Sequence, residues 1–405
     1  RYVPYLAPAR VYQRLSTFWR RRSDRLTGRI PHTSGRRGVD ARIAWLGFHA
    51  IEGISLRRLE RLLVHYGSVL DAWNAPEAEL RALGLPDGPL ARLVNARRSG
   101  LPEQLRAAAE RAGARVLVYP DEDYPALLRE IPSPPLALFV KGSLEPADAR
   151  AVALVGTRQA SSYGLQVART FATEFAQAGI TVVSGLARGI DRAAHEAALE
   201  AGGRTIAVLG TGIDVVYPAG HRLLAQRIAE QGALVTEFLP GTPPHAGNFP
   251  VRNRIISGLS LGVIVVEAPQ RSGALITANF ALDQNRTVYA VPGPIFSSGS
   301  AGILRLLREG ATPVGSAQDV LADLQLEACQ LPLLSQPAIP EHARPVFAAL
   351  GTEPKHIDEL AAELGMGIAQ LSALLLELQL DGLVTHLGAQ HYALAAPALA
   401  RGGKR

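Results

Sequence analysis

Three groups of residues along this chain have the types and spacing to hold a phosphate. The apolar run 151–155 stops at Gly156-Thr157-Arg158, and the run 180–184 stops at Gly185-Leu186-Ala187-Arg188-Gly189-Ile190-Asp191. Each reads as a buried parallel strand that breaks at a glycine turn and enters a helix. At such a break the backbone N–H groups can point outward, the usual place to hold a phosphate. The third group, Asn248-Phe249-Pro250-Val251-Arg252-Asn253-Arg254, adds an aromatic ring and two more guanidinium groups. Cradle, ring and arginines together fit a polyanion that carries bases, a nucleic acid, better than a free cofactor.

The remaining reactive residues divide between chemistry and packing. His195-Glu196 lacks the second histidine that a zinc-protease helix requires, so His195 reads mainly as a packing or capping residue. Asp191 suits a general base or a carboxylate that fixes the start of its helix. Glu267 ends a strand run, where it can contact a sugar hydroxyl or orient a backbone turn. Phe249 can stack on a base or be a buried ring at a helix start, which Pro250 marks. Arg252 and Arg254 are two apart and do not share a helical face; one is expected to pair with Glu237 or Glu267, the other to reach the ligand. Val155-Gly156-Thr157-Arg158 is not G-x-G-x-x-G and no GxxxxGK[ST] loop occurs, which disfavours a nicotinamide cofactor and P-loop ATP hydrolysis. The scattered histidines and single cysteine, Cys329, give no metal-ligand spacing and no disulfide framework. No catalytic set, metal or cofactor is expected.

The elements that must position these groups follow from the apolar pattern. Runs at 115–119, 137–141, 151–155, 181–184, 205–209, 234–237, 263–267 and 287–291 alternate with amphipathic stretches such as 164–178 and 193–201. That alternation predicts an α/β fold, a doubly wound parallel sheet with right-handed crossovers. Ligands on such sheets bind beyond the carboxyl ends of the strands, where Arg158, Ser184, Gly185, Arg188, Gly210, Thr211 and the turn after Glu267 converge. Residues 40–112 read as a helical domain of helix-hairpin-helix type, a unit used both to grip a DNA backbone and as a plain protein-contact bundle. Residues 113–325 form the sheet domain and 326–340, with three prolines, a linker. Residues 341–396 follow a winged-helix order of three helices and a hairpin. Its second-position helix, 368–378, has no basic residue, so reading DNA through it is disfavoured and a protein contact fits at least as well. Residues 397–405 are a tail.

Charge is unevenly spread over the 405 residues. The net charge is +6, yet residues 1–38 hold ten arginines against Asp24, a local +9 that leaves −3 elsewhere. The basic arm, residues 1–39, reads as a disordered extension or a nucleic-acid-binding tail. No apolar stretch is long enough to span a bilayer. The chain opens at Arg1, reads as processed, trimmed or mis-called there, and lacks the order of a secretory signal. A reducing cytoplasm is the expected compartment.

The motifs closely resemble the DNA-processing protein A family (DprA, also called Smf). The likeness runs through Val155-Gly156-Thr157-Arg158, Ser162-Tyr163-Gly164, Ser184 to Asp191, and Gly210-Thr211-Gly212-Ile213-Asp214-Val215-Val216-Tyr217-Pro218. It continues through Phe249-Pro250-Val251-Arg252-Asn253-Arg254, Val265-Val266-Glu267-Ala268, Arg271-Ser272-Gly273-Ala274 and Val291-Pro292-Gly293-Pro294. The resemblance implies an extended Rossmann fold, flanked by a helical N-terminal domain and a C-terminal winged helix, that dimerises through its C-terminal part. It implies a non-enzymatic single-stranded DNA binder that protects incoming DNA in natural transformation. It also implies loading of the RecA recombinase, including against single-strand-binding protein. The contacts carried over are Gly156, Arg158, Ser184, Gly185, Arg188, Phe249, Arg252 and Arg254. One departure is Gly302-Ile303-Leu304 before Arg308-Glu309-Gly310-Ala311, where the family usually has Gly-Thr-Asn. The competing reading is a nucleotide-processing hydrolase on a related fold, which fold alone does not separate.

Overall fold

The computed structural model describes residues 36–326, 341–350, 354–380, 383–388 and 390–394. The expectations for most of the basic arm, the linker and the tail fall outside them. The first described helix, α1 (Arg36–His49), begins inside the stretch assigned to the arm.

Five more helices complete the N-terminal region: α2 (Leu56–Tyr66), α3 (Val69–Asn74), α4 (Glu77–Ala82), α5 (Asp87–Ser99) and α6 (Leu101–Arg111). In α2 the leucines at 59, 62 and 63 recur at helical spacing and are buried. The helix stops at Gly67, left-handed at φ 74°, whose N–H caps the Leu63 carbonyl. Trp45, Phe48 and Trp73 form the centre of this region, and the same core runs on to Phe139 and Val118 of the sheet. His49 Nε2 donates to the Glu237 carbonyl at 2.6 Å, a second tie between helices and sheet.

The sheet domain contains, in chain order, β1 (Arg115–Val118), α7 (Ala126–Arg129), β2 (Ala137–Gly142), β3 (Ala151–Val155), α8 (Ser162–Gln177), β4 (Thr181–Ser184), α9 (Ile190–Glu200) and β5 (Thr205–Val208). It continues with α10 (Arg222–Gln231), β6 (Ala233–Thr236), α11 (Asn248–Gly258), β7 (Gly262–Val265), α12 (Gly273–Asp283), β8 (Thr287–Ala290), α13 (Ala301–Arg308), β9 (Thr312–Pro313) and α14 (Ala317–Asp323). Strand order is β1-β2-β6-β5-β4-β3-β7-β8-β9. From β6 to β9 every pairing is parallel, as expected for crossover helices. The doubly wound parallel sheet is present as expected, and it is extended at one edge by antiparallel strands. There β1 pairs antiparallel with β2, and β2 antiparallel with β6. An apolar run records burial and not strand direction, so the sequence pattern could not show this.

Along the central strands, residues alternate between two buried cores. Ala151, Ala153, Val155, Val263 and Val265 face a core with Ile255 and Ile256 of α11 and Ala278 of α12. Val152, Leu154, Val182 and Ile264 face Phe171 and Phe175 of α8 and Ala194 of α9. A sheet buried on both faces is what makes these strands near-continuous apolar runs. Each buried Val or Leu contributes about 1.5–3 kcal/mol relative to exposure. Strand order reverses direction between β3 and β7, placing the crevice of the sheet at their carboxyl ends.

The C-terminal unit has α15 (Arg344–Ala349), β10 (Lys355–His356), α16 (Ile357–Leu364), α17 (Ile368–Leu380), β11 (Val384–His386) and β12 (His391–Leu394). The three strands pair in the order β10-β12-β11. Three helices and a hairpin give the winged-helix pattern read from the sequence. Leu360, Leu371, Leu375 and Leu378 form its own core. Among the described residues no single helix is long and apolar enough to cross a membrane.

Candidate nucleic-acid interface

Both glycine turns form where expected, at the carboxyl ends of β3 and β4, but their amides do not all point outward. In the first turn Thr157 N donates to the Glu267 carbonyl at 2.7 Å. Glu267 also reaches the start of α8, where its Oε2 accepts from Ser161 N at 2.9 Å and from Ser161 Oγ at 3.1 Å. In the second turn the Asp191 carboxylate fills the cradle. Its Oδ2 accepts from Gly185 N at 3.1 Å and from Ala187 N at 3.4 Å. Internal carboxylates thus occupy positions that sequence reading gives to phosphate. The physics is the same, an anion at a helix N-terminus, with a side chain supplying the charge.

The two turns pack against each other. Gly189 has φ 76°, and a Cβ there would collide with the Thr157 carbonyl and lie 2.9 Å from that of Arg158. Gly156 and Gly185 are likewise glycines for packing. A Cβ on Gly156 would lie 2.5 Å from Ile190 Cγ1, and one on Gly185 2.7 Å from an Arg252 nitrogen.

A buried polar layer lies beneath the turns. Ser184 is fully buried and its hydroxyl donates to the Leu154 carbonyl at 2.7 Å. Arg252, only 4% exposed, donates through Nη1 to the Gly185 carbonyl at 2.7 Å and to the Val208 carbonyl. Burial lowers the Arg252 pKa to about 10, opposed by the negative charge of Asp191. Burial also raises the Asp191 carboxyl, and Arg252 opposes that shift in turn. His195, fully buried, donates from Nδ1 to Thr205 Oγ1 at 2.7 Å, because the Thr205 hydroxyl itself donates to the Val182 carbonyl. Its Nε2 accepts from Leu186 N at 3.3 Å. Burial, then the charges of His221 and Arg252, lower the His195 pKa to about 3. The neutral ring is therefore a structural pin for Leu186, which holds a left-handed φ of 56°.

The expected split of the third motif holds for one arginine only. Arg254 forms a half-buried ion pair with Glu237. Burial raises the Glu237 carboxyl, opposed by the Arg254 charge. Arg252, expected to reach outward if Arg254 paired, turns inward instead, because the carbonyls at the ends of β4 and β5 converge on it. Of the eight residues singled out, Ser184, Gly185 and Arg252 are buried, Arg254 is held in its ion pair and Gly156 is half-buried.

Three remain at the surface. Arg158 and Arg188 are exposed, and among the described residues neither side chain has a carboxylate partner. Phe249 is half-buried, its ring laid on Gly210, where a Cβ would lie 2.7 Å from Cδ1. The Arg158 guanidinium carbon stands 5.5 Å from the ring centroid and that of Arg252 6.0 Å. Sequence reasoning missed Tyr217 as a site residue. It is 44% exposed, with its ring 5.5 Å from that of Phe249 and tilted by 41°. An aromatic before Pro218, in a glycine-rich loop beyond a strand, was the available signal. The surface therefore presents the Arg158 guanidinium beside two adjacent rings, with Arg188 exposed on the neighbouring turn, a combination suited to phosphates and bases.

Such a Rossmann-type sheet, flanked by a helical region and a winged helix, is the architecture of a recombination-mediator protein. Residues 115–325 match the family model described as DNA recombination-mediator protein A, and residues 332–390 match the DprA winged helix domain. The chain is 35% identical over 387 residues to protein Smf of Synechocystis sp., covering 86% of this chain and 97% of that protein. It is 44% identical over 270 residues to protein Smf of Escherichia coli, covering 64% of this chain and 72% of that one. The X-ray structure of DNA processing protein A from Streptococcus pneumoniae superposes with a TM-score of 0.61 at 35% identity, over 70% of this chain and 97% of that chain. This chain belongs to the DprA/Smf family of DNA recombination mediators.

Proposed function

We propose that this protein binds single-stranded DNA along the edge carrying Arg158, Arg188, Phe249 and Tyr217. The observation that carries the reading is the exposed Arg158 guanidinium set beside two accessible rings, with exposed Arg188 on the next turn, neither arginine having a carboxylate partner among the described residues. Arg158 and Arg188 contact phosphates, while Phe249 and Tyr217 stack on bases. Gly156, Ser184, Gly185 and Arg252 act through the turns, by fixing their backbone, and Arg254 through its ion pair with Glu237. The arginines of this edge come from turns beyond strands and not from one helix face, so the reading favours a tracked single strand over duplex.

Family membership supports a wider role. The protein shields an incoming strand in the cytoplasm and, as a homodimer, hands it to the RecA recombinase past single-strand-binding protein. No catalytic residue is assigned. Fluorescence anisotropy with a labelled oligothymidine and its duplex, across a salt series, tests the DNA reading. Single strands should bind more tightly, with log K falling by roughly 0.7 per neutralised phosphate for each decade of salt. Equal affinity for both forms at matched salt would sink it. RecA-driven strand exchange on protein-coated single strands tests the handover, which predicts faster exchange when this protein is added.

A further inference from the structure

On the far side of the first turn, at the crevice between β3 and β7, a separate cavity opens. It has a volume of about 200 Å³ and is lined by Ser161, Tyr163, Glu267, Pro294, Ser297 and Ser300. Glu267 is 8% exposed and Ser300 4%. Only one Glu267 oxygen is committed to the protein, Oε2 on Ser161. Among the described residues Oε1 makes no hydrogen bond, and neither does the Ser300 hydroxyl. Ser297 Oγ accepts from Gly299 N at 3.3 Å, which leaves its own hydrogen free to donate. A carboxylate oxygen awaiting a donor and two hydroxyls able to donate or accept therefore share one cavity. Its walls include the Tyr163 ring, Pro294 and Val266.

The chemistry selects the ligand. A phosphate does not fit, because Glu267 brings negative charge and already holds the N-terminal amide of Ser161. A hydroxyl group fits, since it donates to Oε1 and accepts from a serine. Two adjacent hydroxyls on a small ring fit best, with apolar walls against the ring carbons. The volume lies below the roughly 300–1,000 Å³ of clefts that enclose a drug-sized ligand, so a sugar enters and the rest of the molecule stays outside. Acidic residues beyond the carboxyl ends of strands in other doubly wound sheets bind the ribose of a dinucleotide in this way, although there the acid follows a different strand. We propose that this crevice is a ribose site, taking the 2′,3′-diol of a ribonucleoside or ribonucleotide through Glu267 Oε1 and Ser300. DNA lacks that diol, so the site is separate from the edge assigned to single-stranded DNA.

Calorimetric titration of the full chain with adenosine monophosphate, its 2′-deoxy counterpart and methyl β-D-ribofuranoside tests this. The ribonucleotide and the riboside should bind, and the deoxynucleotide at least about tenfold more weakly, the loss of roughly 1.4 kcal/mol expected for one hydrogen bond to a charged group. Glu267→Gln and Ser300→Val should each remove riboside binding, and Ser300→Val should leave oligothymidine affinity unchanged. If Glu267→Gln does not fold, Ser300→Val and the ribo/deoxy pair carry the test. Equal binding of ribo and deoxy forms, or riboside binding that survives both substitutions, would overturn the site. So would no binding at millimolar ligand by a protein that still binds oligothymidine. Loss of oligothymidine binding by the wild type would instead refute the single-strand reading and leave the ribose result standing.

Discussion

Arg158 and Arg188 differ from Arg252 and Arg254 in nearly every respect except residue type. The first two stand in water and have no carboxylate partner among the described residues. The second two lie inside, Arg252 across the carbonyls that close β4 and β5, Arg254 against Glu237. Four arginines in motifs of equal promise thus do two jobs. A guanidinium in water costs little to hold and is free for an incoming phosphate. A buried one has lost its hydration and is stable only while its internal partners stay in place. The pairs should therefore respond to mutation in different equilibria, binding for the outer and folding for the inner.

The largest effect should come from the inner layer. Arg252→Ala leaves Asp191 buried without its nearest compensating charge and should cost about 3–5 kcal/mol of folding stability. Denaturant unfolding measures this, and a variant as stable as wild type would erase the distinction between the layers. The pH dependence of stability should show the same layer. His195 is held near pKa 3, below its unfolded value of 6.5. The unfolded chain therefore takes up the proton first as pH falls. The stability from the neutral ring is complete above pH 6.5 and drains away below it, by about 1.4 kcal/mol per pH unit down toward the folded pKa. His195→Gln should be less stable at pH 7 yet show a shallower loss between pH 6 and pH 4, in melting curves across that range.

The surface layer should move binding instead. Phe249→Ala should weaken oligothymidine binding by about 1–3 kcal/mol if the ring stacks on a base, with a smaller stability loss than Arg252→Ala. Titration with an abasic strand sharpens this, because the Phe249 and Tyr217 effects should both vanish on it. The smallest change is expected for Arg188→Ala. One phosphate contact should be lost, lowering the salt slope by about 0.7 with unfolding unchanged. An unchanged slope would remove Arg188 from the interface.

Strand positions were legible to within a residue or two, because a sheet covered on both faces needs uninterrupted apolar runs. The positions of both turns, the helices after them and the winged-helix order were legible as well. The use of the turn amides was not. The carboxylate that caps the first turn, Glu267, lies 106 residues from Ser161, and nothing local at Ser161 signals it. Asp191 was visible as an acid at a helix start, and one of its two readings, the structural one, fits the geometry. For Glu267 the turn-orienting reading fits the geometry, through the oxygen held by Ser161, and the other oxygen faces a cavity. Tyr217 stood within a motif but gained meaning only when the loop after β5 brought it against Phe249.

The sequence by itself determined which chemistry was available. It set guanidinium groups, rings and carboxylates at the carboxyl ends of parallel strands, because apolar periodicity and glycine breaks are local properties of the chain. Tertiary structure alone decided which of those groups meet solvent. Exposure depends on partners brought from distant segments: the carbonyls of Gly185 and Val208 around Arg252, and Glu237 against Arg254. Desolvation, which separates a binding arginine from a structural one, belongs to that assembled neighbourhood and not to the residue.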